Sequence, residues 1–181
     1  MRCVWASRVL AVAAVLCAGA CHGPPASARG RGGGDSAGAQ VAPYRADVAA
    51  LANANPDFRR VIATGDRTQL VLMSLPPGGD VGEETHRRVE QIFFCVSGRG
   101  QVTLNGAVSP FGVGDVVIAP PGTRHDVTNT GSAPLKLYTI YSPPNHLDGR
   151  VQATKAAAEA DRADQDFGRR VEMGRSPARR P

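Results

Sequence analysis

Short runs rich in apolar and β-branched residues begin at Phe58 and recur to Tyr141, broken by Gly, Pro and Asn turns. Such runs, with side chains alternating between two faces, read as half-buried strands. They predict strands over 58–63, 69–75, 91–96, 101–104, 116–119, 126–129 and 135–141. The turns are Thr64-Gly65-Asp66, Pro76-Pro77-Gly78-Gly79, Ser97-Gly98-Arg99-Gly100 and Asn105-Gly106. Asn-Gly is a strong hairpin signal, because both residues accept positive φ. The turn at Gly98 is expected to be a hairpin that fixes the register of the strand before it. Strands at near-regular spacing with no long helix between them indicate an all-β sandwich or barrel.

Helical spacing occurs only at the two ends of this region. Val48, Leu51 and Ala52 share one side of a short helix within 44–55, stopped by Pro56. Residues 154–164 are Ala-rich and charged, with Thr154 as an N-cap, and predict a short C-terminal helix. Residues 168–181 hold many Arg and little to bury, and are expected to form a disordered tail. Residues 22–40 are Gly, Ala, Pro and Ser, the composition of a flexible tether. Before them, Arg2 and Arg8 precede an uncharged run over 9–20. That run is too short to span a bilayer, which takes about 20 residues, and reads as a secretory signal. Ala26-Ser27-Ala28 would release a chain starting at Arg29. Alternatively, Ala18-Gly19-Ala20-Cys21 resembles a bacterial lipobox, with Ala18 where Leu is usual, and would leave Cys21 lipidated. The expected layout is a signal over 1–28 (or a lipoprotein signal over 1–20), a tether over 29–43, a β domain over 44–154, and a helix and basic tail over 155–181. The expected location is outside the bacterial cytoplasm, periplasmic or anchored to a membrane through the N-terminus.

Charge at first argues for an acidic partner, since the net charge is +5. Its distribution removes that reading. Residues 41–154 hold ten basic and ten acidic residues, so the excess lies at the two ends. Aromatic residues make up 5% of the chain, too few for stacking platforms, and no nucleic-acid partner is expected. Of the four cysteines, Cys3 and Cys17 fall in the signal and Cys21 at its end. Cys95, in an apolar run, is expected to be a buried thiol. Tyr138 and Tyr141 read as strand packing, and His146, after Pro143-Pro144, as a surface loop residue.

The chemistry is carried by two spaced frames. Gly114 to Asn129 fits G-x5-P-x-G-x2-H-x3-N at every fixed position. Gly114-Asp115 turns into a strand, Pro120-x-Gly122 bends the chain, and the next strand begins with His125 facing inward beside Val127 and Asn129. This frame resembles the second motif of the cupin superfamily. The first cupin motif, G-x5-H-x-H followed by Glu and Gly, has an imperfect counterpart. After Gly78, Glu84 stands where the first His is usual and His86 at the second. For the acidic position, counting forward from His86 gives Glu90, and counting back from Gly98 gives Gln91. A bulge would be needed for both to face inward. Residues 55–156 are further similar to small single-domain cupins described as resembling mannose-6-phosphate isomerase. The carriers are Gly82-Glu83-Glu84-Thr85-His86, Val89-Glu90-Gln91, and Pro134 to Tyr141 followed by Pro143-Pro144-x-His146.

The resemblance implies a double-stranded β-helix (jelly-roll or cupin barrel) with one metal pocket. Its implied ligands are Glu84, His86, Gln91 and His125. Two imidazoles, a carboxylate and an amide oxygen suit Mn, Fe, Ni or Zn. Glu90 is the candidate general base if it reaches the pocket. The expected activity is metal-dependent chemistry on a small polar molecule, isomerase- or oxygenase-like. The alternatives are a non-catalytic module binding a small ligand or metal, and a degenerate barrel without metal. Arg87, Arg88 and Arg124 are weaker candidates for an anion-greeting rim. A homodimer is a further implication of the resemblance.

Overall fold

The computed structural model describes residues 41–175; the expected signal, most of the tether, Cys21 and the last six residues lie outside it. Ten strands and three helices follow one another: α1 (Val48–Ala54), β1 (Arg59–Thr64), β2 (Gln69–Leu75), β3 (Glu84–Thr85), β4 (Glu90–Ser97), β5 (Arg99–Leu104), β6 (Ala107–Gly112), β7 (Val116–Ala119), β8 (Arg124–Asn129), β9 (Leu135–Ser142), β10 (Val151–Gln152), α2 (Lys155–Ala160) and α3 (Arg162–Glu172). Two antiparallel sheets form, in the orders β10-β1-β2-β9-β4-β7 and β3-β8-β5-β6. This is the expected all-β, two-sheet jelly roll.

Alternation decides what each strand buries. On β4, Gln91, Phe93 and Cys95 are buried while Glu90, Ile92 and Phe94 are only partly covered. On β8, His125, Val127 and Asn129 are buried, as the second frame predicts. Val71, Met73, Phe93, Leu135, Leu137 and Val127 meet in one core between the sheets. Cys95 is a free buried thiol within that core, and burial pushes it up to about 11. β2 and β9 pair from Gln69↔Tyr141 to Leu75↔Leu135, which brings the two ends of the domain together.

Asn105 (φ 49°) and Gly106 (φ 91°) form the expected two-residue hairpin between Leu104 and Ala107. Gly98 does something else. β4 pairs with β9 and β7, whereas β5 pairs with β6 and β8, so Gly98 turns a corner from one sheet to the other and closes no hairpin. Its φ is 88°, and a Cβ there would come within 2.8 Å of the Pro134 carbonyl oxygen, so the corner needs Gly.

Helix α1 is shorter than the pattern implies. Asp47 caps it, it packs against β2, β4 and β9 with Ala52 buried, and Leu51 is exposed. The larger correction concerns the C-terminus. The expected single helix is two, divided at Asp161, which ends α2 and accepts the Asp164 N–H at the start of α3. Residues 168–172, expected to be disordered, are the last turns of α3. Asp164 and Val171 are buried on its inner face, with Phe167 packed against the core. A stripe of three inward side chains suffices to dock the helix, although its composition reads as a solvated tail.

Candidate metal centre and its cavity

Three elements bring the site together. β3 is two residues long and pairs Glu84 with His125 of β8. His86 follows just beyond β3, and Gln91 enters from β4 in the other sheet. Glu84, His86 and His125 present ligand-type atoms all within 4.8 Å of one another. Glu84 Oε2 lies 3.3 Å from His86 Nε2, and the two imidazole centroids are 5.5 Å apart. Gln91 is fully buried, with Oε1 3.0 Å from His125 Nε2. So three of the four sequence-inferred ligands cluster, and the fourth, Gln91, touches one of them. Glu90 belongs to the opposite face of β4 by alternation and is not brought to the cluster. β4 has its bulge at Cys95–Ser97, too far along to turn Glu90 inward.

The protonation pattern is set by the surroundings. His125 Nδ1 faces the Thr123 carbonyl oxygen at 2.9 Å. A carbonyl only accepts, so Nδ1 carries the proton and Nε2 offers a lone pair to the cavity. His86 Nδ1 lies 3.1 Å from Glu172 Oε1, which likewise turns His86 Nε2 toward Glu84. Burial opposes charge on His86, but Glu84 and Glu172 outweigh it and raise its imidazole above the ordinary value. Burial would raise Glu84, yet His86, then Arg59 and His146, hold it below the usual carboxylate range.

These residues fit a cation. Glu84 Oε2 and His86 Nε2 are buried and face each other as an ion pair, with no further hydrogen-bond partner among the described residues. A divalent ion between them and His125 Nε2 would satisfy all three, with the Gln91 amide oxygen as a fourth donor.

Sequence reasoning missed two contributors. Glu172, placed in the expected tail, holds His86 and also accepts the N–H groups of Arg87 and Arg88 at 2.8 and 3.2 Å. Arg87 and Arg88 therefore meet the site with their backbones. Arg124 pairs with Glu83 at 3.7 Å on the exposed surface. His146, expected on the surface, is buried against Tyr141 and Asp164. The only sequence trace of these two was the Pro143-Pro144-x-His146 signature and the spacing of Asp164, Phe167 and Val171. Beside the cluster opens a cavity of about 340 Å3, lined among others by Glu84, His86, Arg59, His146, Asp164 and Glu172.

Comparison with known proteins places this arrangement. The family model described as "Cupin domain" matches residues 71–141. The Bacillus subtilis (strain 168) protein YrkC is 39% identical over 124 residues, covering 65% of this chain and 67% of that protein. The oxalate-binding protein of Thermotoga maritima is 34% identical over 68 residues, 38% of this chain and 56% of that protein. The crystal structure of BH2720 from Bacillus halodurans is 38% identical, covers 66% of this chain and 95% of that one, and superposes with a TM-score of 0.65.

Proposed function

For a chain that belongs to the cupin superfamily, we propose a divalent-metal protein that acts on a small polar molecule in the barrel, isomerase- or oxygenase-like, and works outside the cytoplasm. Glu84, His86 and His125 would hold the ion, with Gln91 as fourth donor. The observation that carries this reading is the convergence of buried Glu84 Oε2 and His86 Nε2, paired only with each other, on the His125 Nε2 lone pair. A bound ion would supply Lewis acidity or redox chemistry to a ligand in the adjoining cavity. The protein's own part is to fix ligand orientation: Glu172 and the Thr123 carbonyl each hold a histidine in the tautomer that faces inward.

The similarity to mannose-6-phosphate isomerase-like cupins, carried by Gly82 to Gln91 and by Pro134 to His146, supports the isomerase half of the reading. The relative named an oxalate-binding protein supports a second one, a non-catalytic binder of a small carboxylate. An enzyme needs an open coordination position facing the cavity, whereas a binder tolerates a closed shell. Elemental analysis of the full chain purified without chelator is expected to find metal, and a His86→Ala/His125→Ala double variant is expected to have lost it. Equal metal content in the two would remove the site. The export half is supported by Arg2, Arg8 and the two cleavage frames. Intact mass of the mature chain is expected to show a start at acylated Cys21 or at Arg29. An unprocessed Met1 in secreted or membrane fractions would sink it.

A further inference from the structure

A second cluster lining the same cavity is built around His146. Gln69 of β2 grips its backbone from both sides, donating to its carbonyl at 2.8 Å and accepting its N–H at 2.9 Å. Asp164 of α3 lies 2.7 Å from Nδ1 through Oδ2 and accepts the Leu147 N–H at 2.7 Å through Oδ1. The Tyr141 ring of β9 meets the imidazole edge-on, 4.9 Å between centroids. Arg59 of β1, which also lines the cavity, lies beside the ring, with Nη1 3.4 Å from Nδ1 and 3.7 Å from Asp164 Oδ2.

His146, Asp164 and Arg59 are all at least nine-tenths buried. A carboxylate 2.7 Å away claims the proton on Nδ1, so the lone pair is on Nε2. That atom finds no partner among the described residues, and neither do Arg59 Nε and Asn145 Oδ1. Four side chains thus fix a ring whose remaining nitrogen has nothing to bond. A histidine serving only the fold would be cheaper with its second nitrogen satisfied. Burial lowers the His146 imidazole and Arg59 lowers it further, outweighing Asp164, so the ring stays neutral near neutral pH.

We propose that His146, oriented by Asp164, is the proton-accepting group of this cavity. The molecule it serves is a small hydroxy carboxylate, its carboxylate drawn to Arg59 and its hydroxyl donating to His146 Nε2. This rests on the metal reading above. In the transfer, the ligand O–H bond breaks, the electron pair stays on the ligand oxygen, and the proton bonds to Nε2. The imidazolium so formed is balanced by the Asp164 carboxylate, which keeps its bond to Nδ1–H. Oxalate has no O–H at neutral pH and offers nothing to this nitrogen.

The test uses the full chain loaded with Mn(II), its metal content measured first, and calorimetric titration with glycolate and with acetate near neutral pH. Wild type is expected to bind glycolate about tenfold more tightly than acetate, the worth of one well-made buried hydrogen bond. His146→Phe is expected to abolish that preference and leave acetate affinity unchanged. Glycolate affinity in wild type should fall as acid protonates the ring, and this pH dependence should vanish in the variant. Chelation by the metal alone would survive the substitution, so a preference retained in His146→Phe overturns the proposal. So does a wild type that binds glycolate no better than acetate. If His146→Phe fails to fold, 15N spectra of His146 in the wild-type chain loaded with diamagnetic Zn(II) decide: Nε2 must shift with glycolate and not with acetate. A chain that holds no metal overturns both readings, whereas a loaded chain without the preference overturns this one alone.

Discussion

Gln91 Oε1 and His125 Nε2 face each other at 3.0 Å, and with the His125 proton held at Nδ1 by Thr123 both atoms are acceptors. Two lone pairs at that distance repel unless a cation lies against both or the Gln91 amide turns over. A bound ion resolves the clash and leaves the amide nitrogen to the interior. The consequence is a test of which neighbour belongs to the site. Gln91→Ala is expected to weaken metal retention by roughly tenfold or more, as an unsatisfied buried partner costs about 1–3 kcal/mol. Glu90→Ala, on the other face of β4, should leave retention unchanged; chelator-competition titrations of the two variants measure this. Equal loss in both would mean that β4 does not present Gln91 to the ion. At this scale the second frame was fully legible, since His125, Val127 and Asn129 need only period two to share a face. The choice of Gln91 over Glu90 came from counting back from Gly98. Gln91, and not Glu90, lies on the buried face although the supposed hairpin is a corner between sheets, because β4 alternates without a break from Glu90 to Cys95.

Among the elements, the central strands were readable because burial on one face imposes alternation. β3, β6 and β10 were not: β3 and β10 are two residues long and cannot display a period, and β6 exposes Val108 and carries Pro110 at the sheet edge. Helix α3 was hidden for a different reason. Its inward face is one carboxylate, one Phe and one Val among charged residues, and only docking reveals it. Yet α3 supplies both Asp164 and Glu172. Glu172 receives His86 Nδ1–H and two backbone N–H groups, so it fixes ring orientation and the chain that carries it. Removing such an outer partner lowers metal affinity by about 10–100-fold in comparable sites. Glu172→Ala is expected to fall in that range while unfolding near the wild-type temperature, since Val171 and Phe167 still dock the helix. Glu172→Gln keeps an acceptor for Nδ1–H and should recover part of the loss. An unchanged metal dissociation constant in Glu172→Ala would assign α3 a purely structural role.

For the whole molecule, the balanced charge of residues 41–154 leaves little net field, so the pH dependence of stability falls to the buried groups. Two of them share one direction. The His146 imidazole is lowered from 6.5 by burial and Arg59. Asp164 is lowered from 3.8, because its bonds to His146 and the Leu147 N–H outweigh burial. A lowered value means that the folded chain binds fewer protons than the unfolded one, so acid favours unfolding. The His146 contribution is complete above 6.5 and is lost as pH falls below it; that of Asp164 is lost further down, below the ordinary carboxylate value. His86, raised in the metal-free chain, acts in the other window: its contribution is complete below 6.5 and is lost as pH climbs through its raised value. The two histidines therefore oppose each other on either side of 6.5, and the metal-free chain should be most stable near that point. Urea midpoints of chelator-treated protein are expected to rise from about pH 5 to about pH 6.5. In His146→Phe that rise should flatten, because the remaining carboxylates titrate lower. A wild-type midpoint that is flat over this interval would mean that the fold does not keep His146 neutral. The lone pair proposed to accept a ligand proton would then be absent.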